Sequence, residues 1–219
     1  KKDFQGIADA KERGTFQGLA RKIPYLKELG VTAVELLPIY ECPAVDIEKT
    51  SGDPNYEEIR GEVKAPTLYS HNGMLLDKKK PSLKMNYWGY KEGFYFAPRS
   101  TYSSDPHHSV TELKNMIRHF HTHHMEVILQ FYFAPETDQN LMVDCIRYWV
   151  SEFHIDGIHL KSDNVPVEML ISDPMLSDLK IMYRDAARMG GKSSGRWTAL
   201  YDEVFPFAAR RFLRGEDYS

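Results

Sequence analysis

Several features that would define a protein class at once are scarce or missing in this sequence. Its 219 residues include two cysteines, Cys42 and Cys145, without CxxC spacing, so the chain is no disulfide scaffold, and we expect Cys145 to be a buried free thiol. Lys and Arg number 28 against 31 Asp and Glu, giving a net charge of −3, so we expect no nucleic-acid partner. No apolar run reaches the roughly 18 residues of a membrane span, so we expect no membrane association.

No signal peptide precedes the first residues, KKDFQG, and the motifs GxGxxG and GxxxxGK[ST] do not occur. The first observation, with the lack of a membrane span, fits a cytoplasmic protein and also fits a segment cut from a longer one. The second leaves nucleotide binding without motif support, and we expect no cofactor.

What the sequence does contain is an alternation of helical and strand patterns. Strands are predicted at 31–39, 126–133, 156–160, 179–183 and 196–200, and helices at 15–30, 109–125, 137–155, 165–171 and 202–215. Continuous apolar strands between helices of this length predict parallel βαβ units, in a doubly wound sheet or a (β/α) barrel. In both folds, the loops at the carboxyl ends of the strands carry the functional site.

The predicted boundaries rest on residues that begin or end helices. Thr15 and Gly30 flank the first helix, although Pro24 is an objection to its continuity. Ser109 is the expected N-cap of the second helix, with Glu112 completing a capping box. Asp202 is expected to cap the start of the last helix, and Gly215 is expected to end it. The segment from about 43 to 108, rich in Pro, Gly, Asp, Asn and Lys, is predicted to be a long irregular insertion, and loops of that length are usually functional or disordered.

Six segments in order resemble the α-amylase superfamily (glycoside hydrolase family 13), in its isoamylase and glycogen-debranching branch. They are GTFQGLARKIPYLKELGVTAVELLPIYE, NYWGYKEGFYFAP, TELKNMIRHFH with EVILQFYF, IRYWVSEFHIDGIHL, ISDPMLSDLKI and YDEVFPFAARRFLRG. The resemblance implies a (β/α)8 TIM-type barrel of which this sequence holds about strands two to six. We therefore expect residues 1–219 to form a single, partial barrel domain.

The resemblance also implies where a catalytic site would lie, and the residues there differ from the family pattern. The Asp of the third-strand motif falls on Gln130, the Arg of the fourth-strand motif on His159, and its nucleophilic Asp on Lys161. The acid/base Glu of the fifth strand falls on Arg184 within about a residue. Retaining glycoside hydrolysis needs a carboxylate nucleophile and a carboxylic acid, so these replacements predict that no intact catalytic set remains.

Substrate-binding candidates lie in NYWGY, where Asn86, Trp88 and Tyr90 stand on the expected site side. The resemblance matches Tyr90 with a tyrosine that lines the family's first sugar subsite, and the alternative is that these aromatics only pack the loop. A second motif, HFHTHH, spaces His119 and His123 as a zinc site could. Solvated imidazoles at a helix end explain it better, so no metal is expected.

Three functional hypotheses remain open. The first is a catalytically degenerate, isoamylase-like protein of α-glucan metabolism that acts as a binding or scaffolding partner. The second is an active glycoside hydrolase whose carboxylates come from the long loop (Glu57, Glu58, Glu62) or from chain outside this sequence. The third is a structural interaction domain. Expected partners are an α-glucan or another carbohydrate, and possible ones are remaining barrel segments or another subunit.

Lys161 and Arg184 follow neighbouring strands, so we expect them to share one site with His159 and Gln130. Two adjacent cations are costly to bury unless something anionic lies between them. The internal candidates are Glu35, Asp163 and Asp185. The alternative is a ligand that carries phosphate or carboxylate.

Overall fold

The computed structural model describes residues 11–43, 45–47, 83–183, 198–200 and 204–215. The chain forms two compact units. The larger unit contains residues 1–42 and 88–219, and the smaller one contains residues 43–87. Whether they count as one domain with an insertion stays a prediction.

A five-stranded parallel sheet forms the centre of the larger unit. Its strands, in spatial and sequence order, are β1 (Ala33–Leu36), β6 (Glu126–Phe131), β7 (Gly157–Leu160), β8 (Lys180–Tyr183) and β9 (Thr198–Leu200). Each pairs in parallel with its neighbour, which confirms the predicted partial TIM-type sheet. Among the described residues the sheet stays open and no closed barrel forms.

The helices of the larger unit precede, separate and follow these strands along the chain. They are α1 (Phe16–Ala20), α2 (Ile23–Glu28), α3 (Ser109–Thr122), α4 (Gln139–Phe153), α5 (Val167–Ser172) and α6 (Val204–Arg214). None of the helices in the described part of the chain is long and apolar enough to cross a membrane. Gly215, at φ +68°, ends α6 as predicted, whereas Asp202 lies outside the described residues.

The predicted first helix, 15–30, is in fact two short helices that meet at Arg21 and Lys22. Pro24 stands in the first turn of α2. A proline has no N–H to donate, and its ring clashes with the carbonyl four residues earlier, so one continuous helix cannot pass through it. The caps at the two outer ends hold, because the Thr15 hydroxyl accepts a bond from the Gly18 N–H and Gly30 has φ +76°.

The capping box predicted at Ser109 and Glu112 is wrong. Helix α3 begins at Ser109 without a side-chain cap. The Glu112 carboxylate instead accepts bonds from Ser103, Ser104 and the Gln17 N–H, at 2.7–3.0 Å. A local sequence pattern cannot show this competition, because Gln17 is 95 residues away in the chain.

The segment predicted to be irregular, 43–108, contains regular structure. Strand β5 (Phe94–Pro98) pairs antiparallel with β2 (Tyr40–Glu41), with a register shift between the two β2 residues. Two 3-10 turns follow, Ser100–Tyr102 and Pro106–His108. Strand β5 was missed because Gly93 and Pro98 at its ends are turn-type residues, while its alternation of exposed Phe94 and buried Tyr95 is that of a strand.

The smaller unit contains a two-stranded antiparallel ladder. Strand β3 (Val45–Ile47) pairs with β4 (Leu83–Met85). At the base of the ladder the Asn86 amide donates to the Pro43 carbonyl over 2.9 Å.

The core of the larger unit lies between the sheet and its helices. One side of the sheet is here called the apolar side, and it carries the buried residues Val127, Leu129, Phe131, Ile158, Leu160 and Ile181. Trp149 of α4 packs edge-on against Phe131 at 5.6 Å between ring centroids and donates its indole N–H to the Tyr95 carbonyl over 2.7 Å. The indole therefore joins α4, β5 and β6.

Candidate functional site

The opposite side of the sheet, here called the polar side, carries the candidate site. Its residues include Glu35, Ile128, Gln130, His159, Lys180 and Met182. The ladder pairs Gln130 with His159 and His159 with Met182, so these side chains stand at one level near the carboxyl ends of the strands. Successive side chains of a strand alternate, which is why one sheet can have an apolar and a polar side.

A hydrogen-bonded network joins three strands on the polar side. The Oε1 atom of Glu35 lies 2.5 Å from Nδ1 of His159 and 2.5 Å from Nε2 of Gln130. The Tyr90 hydroxyl donates to Oε1 of Gln130, also over 2.5 Å. A carboxylate from β1 thus brings together two of the positions where this chain departs from the family pattern, Gln130 and His159. Gln130 in turn binds Tyr90, one of the predicted substrate-binding residues.

The Glu35 carboxylate is held in its charged form. The hydrogen bond with His159 lowers its pKa below the ordinary value, and partial burial opposes that shift. The bond from Gln130 and the electrostatic influence of His159 and Lys161 lower the pKa of Glu35 further. Near neutral pH this end of the sheet therefore contains a carboxylate in direct contact with a histidine.

Lys161 directly follows β7 and is half-buried. Its backbone N–H donates to the Phe131 carbonyl over 2.8 Å, so the ladder with β6 continues past the last residue of the strand. Because alternation continues with the ladder, Lys161 belongs to the same side of the sheet as His159.

Of the three internal carboxylates proposed to balance the cations, the structure places Glu35 in the site. Asp163 is exposed in the loop after β7. Arg184 and Asp185 lie outside the described residues, as do Glu57, Glu58 and Glu62. The prediction that Lys161 and Arg184 share one site therefore stays a prediction.

A buried tyrosine that the sequence reasoning missed fixes the loop before the site. The Tyr40 hydroxyl lies 2.8 Å from the Lys91 carbonyl and 2.9 Å from the Tyr132 carbonyl. Burial raises the pKa of this hydroxyl, so it stays protonated. The bonds tie the chain beside Tyr90 to the end of β6. A tyrosine following a strand of apolar residues carries no sequence signal that distinguishes this role from packing.

The backbone conformation explains why NYWGY contains a glycine at position 89. Gly89 has φ +77°, and a Cβ atom there would lie 3.1 Å from the Pro38 carbonyl oxygen. A larger residue would be strained in this backbone conformation and would crowd the end of β1. The glycine therefore allows the loop to turn closely past Pro38 just before Tyr90.

The other two substrate-binding candidates have different surroundings. Trp88 is 60% exposed, whereas Tyr90 is half-buried and bonded to Gln130. Asn86 belongs to the smaller unit, where its amide binds the Pro43 carbonyl. The contribution of Trp88 and Asn86 to a sugar site stays a prediction.

The histidine-rich end of α3 forms local contacts. The ring of His123 lies 2.8 Å from the His119 carbonyl through Nδ1. His121 binds Asp156, whose carboxylate also accepts the Val127 N–H. In the part of the chain that the structure describes, no group of three or more metal-ligating side chains comes together.

Comparison with known proteins defines the class. Residues 2–134 match the family profile described as "Alpha amylase, catalytic domain". That match covers more than half of the chain, so the chain belongs to the α-amylase family. The relatives that it matches fall in the isoamylase-like branch.

Three curated relatives illustrate this. Isoamylase 3, chloroplastic, of rice (Oryza sativa subsp. japonica) is 28% identical over 95% of this chain, and the match covers 32% of the relative. The glycogen operon protein GlgX homolog of Mycobacterium bovis is 25% identical, with 93% of this chain and 33% of the relative covered. Pullulanase of Bacillus subtilis is 27% identical over 65% of this chain and 21% of its own length. The chain thus spans about a third or less of these relatives.

Solved structures support the fold. The catalytic module of the glycogen-degrading pneumococcal virulence factor SpuA matches with a TM-score of 0.56 and 21% identity, covering 89% of this chain and 32% of that one. A putative α-amylase from Salmonella typhimurium matches with a TM-score of 0.56 and 17% identity, covering 94% and 36%. At these identities the likeness concerns the fold alone.

Proposed function

We propose that this chain is a catalytically inactive, isoamylase-like protein that binds α-glucan as a binding or scaffolding component of carbohydrate metabolism. The observation that carries the proposal is the residue set at the strand ends. Where the family resemblance places carboxylates at the ends of β6 and β7, this chain has Gln130 and Lys161, on neighbouring parallel strands. Neither side chain can act as a carboxylate nucleophile.

Glu35 does not restore the reaction by itself. Retaining hydrolysis uses two carboxyl groups about 5–5.5 Å apart, one as nucleophile and one as proton donor. The Glu35 carboxylate has a lowered pKa and already binds His159 and Gln130, which suits a charged acceptor and not a proton donor. An active hydrolase with carboxylates from Glu57, Glu58 or Glu62 is the alternative that an activity assay tests.

The same groups suit the hydroxyls of a sugar. Glu35 offers acceptor oxygens, and its side chain is 37% exposed. Gln130 and Tyr90 add an amide and a phenol beside it, and an aromatic ring can stack on a sugar face. Relatives named isoamylase and pullulanase support an α-glucan as the ligand. Remaining barrel segments or another subunit are the further partners proposed.

Affinity electrophoresis tests glucan binding. The chain should migrate more slowly in gels that contain glycogen, amylopectin or pullulan than in gels without glucan. Tyr90→Ala should reduce this retardation, whereas Tyr25→Ala, which removes an exposed tyrosine from α2, should leave it unchanged. Equal migration with and without all three glucans would refute glucan binding and favour a structural interaction domain.

We also propose a cytoplasmic location. The word "chloroplastic" in the names of rice relatives makes a plastid the alternative. Fractionation of cells that contain the native protein would distinguish the two compartments.

A further inference from the structure

The orientation of the Gln130 side chain follows from its two neighbours. One end of its amide lies 2.5 Å from Oε1 of Glu35, and the other end lies 2.5 Å from the Tyr90 hydroxyl. A carboxylate can only accept hydrogen bonds, so the amide nitrogen of Gln130 faces Glu35. The reverse orientation would place two oxygen atoms against each other. The amide oxygen therefore faces Tyr90, whose hydroxyl donates to it.

Glu35 and Gln130 both have hydrogen-bonding atoms beyond those used in this network. Oε1 of Glu35 contacts Gln130 and Nδ1 of His159, whereas Oε2 receives no hydrogen bond from any residue that the structure describes. Gln130 uses one of its two amide N–H groups for Glu35, and the second has no acceptor in the described part of the chain. The Glu35 side chain is 37% exposed and Gln130 is half-buried, so a ligand from solvent can approach both.

An acceptor and a donor thus stand side by side on β1 and β6. A ligand group that only accepts hydrogen bonds would leave Oε2 of Glu35 unpaired, and one that only donates would leave the Gln130 N–H unpaired. A hydroxyl group can do both, so two hydroxyls on adjacent carbon atoms can satisfy the two protein groups together. On an internal sugar of an α-1,4-linked glucan, the adjacent pair consists of the 2- and 3-hydroxyls because the 4-hydroxyl is part of the linkage.

We infer that Glu35 and Gln130 bind the two adjacent hydroxyls of one sugar. The Glu35 carboxylate accepts a hydrogen bond from one hydroxyl, and the Gln130 amide donates to the other. The inference rests on the proposed function and names the part of the glucan that this site recognises. Both residues determine specificity, because a sugar that lacks either hydroxyl leaves one of these polar groups without its partner.

The experiment measures the affinity of the whole chain for methyl 4-O-methyl-α-D-glucoside by ligand-observed NMR titration at pH 7. In this sugar a methyl group occupies the position of the glycosidic linkage, so the 2- and 3-hydroxyls form the adjacent pair. Three analogues lack the 2-, the 3- or the 6-hydroxyl, and the 6-deoxy sugar is the ligand control. Glu35→Met and Gln130→Met remove the polar groups at similar side-chain length. Glu136→Met, at an exposed position in the loop after β6, is the matched control variant.

Loss of the 2- or the 3-hydroxyl should weaken binding to the wild type about fivefold to tenfold, and loss of the 6-hydroxyl should leave it unchanged. Glu35→Met should bind the parent sugar more weakly by a similar factor and should no longer distinguish it from one of the two analogues. Gln130→Met should lose the distinction for the other analogue. Glu136→Met should behave like the wild type. This pattern separates direct contact from a general loss of structure, which would weaken the binding of every sugar alike.

Equal affinity of the wild type for the parent and for both the 2- and 3-deoxy sugars overturns the inference, and so does discrimination that persists in both site variants. If a site variant does not fold, the analogue series on the wild type decides. Retention in glucan gels without discrimination among the analogues would overturn this inference and leave the proposed function standing. Absence of both gel retention and sugar binding would refute the two together.

Discussion

The two sides of the parallel sheet differ in the chemistry of their side chains. On the apolar side, neighbouring strands present Leu129, Ile158 and Ile181, all buried against the helices. On the polar side, the same strands present Gln130, His159 and Lys180, which bind carboxylates from other strands. From this comparison we infer that the fold depends on the apolar side. Side chains on the polar side can be replaced by others of different chemistry while the strand order stays the same.

The largest effect is expected at Trp149, a fully buried side chain that packs against the apolar side of the sheet. Trp149→Ala removes a fully buried ring that contacts Phe131 and Phe153 and donates to Tyr95. We expect a loss of about 3–5 kcal/mol in the free energy of unfolding, measured by urea denaturation. Leu141→Ala, on an exposed position of the same helix, should cost less than about 1 kcal/mol.

If Trp149→Ala does not fold, Trp149→Phe separates packing from hydrogen bonding. It keeps an aromatic ring but leaves the Tyr95 carbonyl without the indole N–H, for an expected loss of about 1–3 kcal/mol. A stability equal to that of the wild type in both tryptophan variants would contradict the packing account.

The apolar side is also the part that the sequence predicts well. Runs such as EVILQFYF and DGIHL carry their strand signal in a few consecutive residues, and the structure confirms β6 and β7 within two residues at either end. The helix between them, α4, is predicted at 137–155 and is found at Gln139–Phe153, and the structure adds a cap that the sequence reasoning did not name, Asp138.

The polar side is predicted less completely because its contacts join distant residues. Glu35 and His159 are 124 positions apart. Both are predicted site residues, but no sequence pattern shows that they bind each other. Gln130 was identified through the family resemblance, while its bond to Tyr90 depends on the Tyr40 contacts that fix the intervening loop. Long-range side-chain bonds of this kind leave no periodic pattern.

A smaller effect is expected from two substitutions that compare the two sides of the sheet, one on β6 and one on β8. Leu129→Ala on the apolar side of β6 should cost about 2–5 kcal/mol because it opens a cavity in the core. Met182→Ala on the polar side of β8 should cost less than about 1.5 kcal/mol, since this side chain is only partly buried. Thermal or urea unfolding of the two variants measures the difference, and equal losses would mean that the polar side is part of the folding core.

The smallest effect is the pH dependence of the contribution that Glu35, on the polar side, makes to the free energy of unfolding. The hydrogen bond with His159 lowers the pKa of Glu35 in the folded chain, so its stabilising contribution is present above the unfolded value near 4.5 and is lost as pH falls through the lower folded value. The stability difference between wild type and Glu35→Gln should stay below about 1 kcal/mol because the side chain is partly exposed. It should shrink as pH falls below about 4.5. A difference that grows with acidification would contradict the assigned charge state.

The central claim is that the polar side of the sheet binds α-glucan without hydrolysing it. The most direct test measures both properties on one purified preparation: retardation in an amylopectin gel, and reducing ends released from glycogen, amylopectin and pullulan. We predict retardation with no release above the blank. Release well above the blank that Glu35→Gln or Glu58→Gln abolishes would contradict the account, because it would show that a carboxylate in this chain performs the hydrolysis.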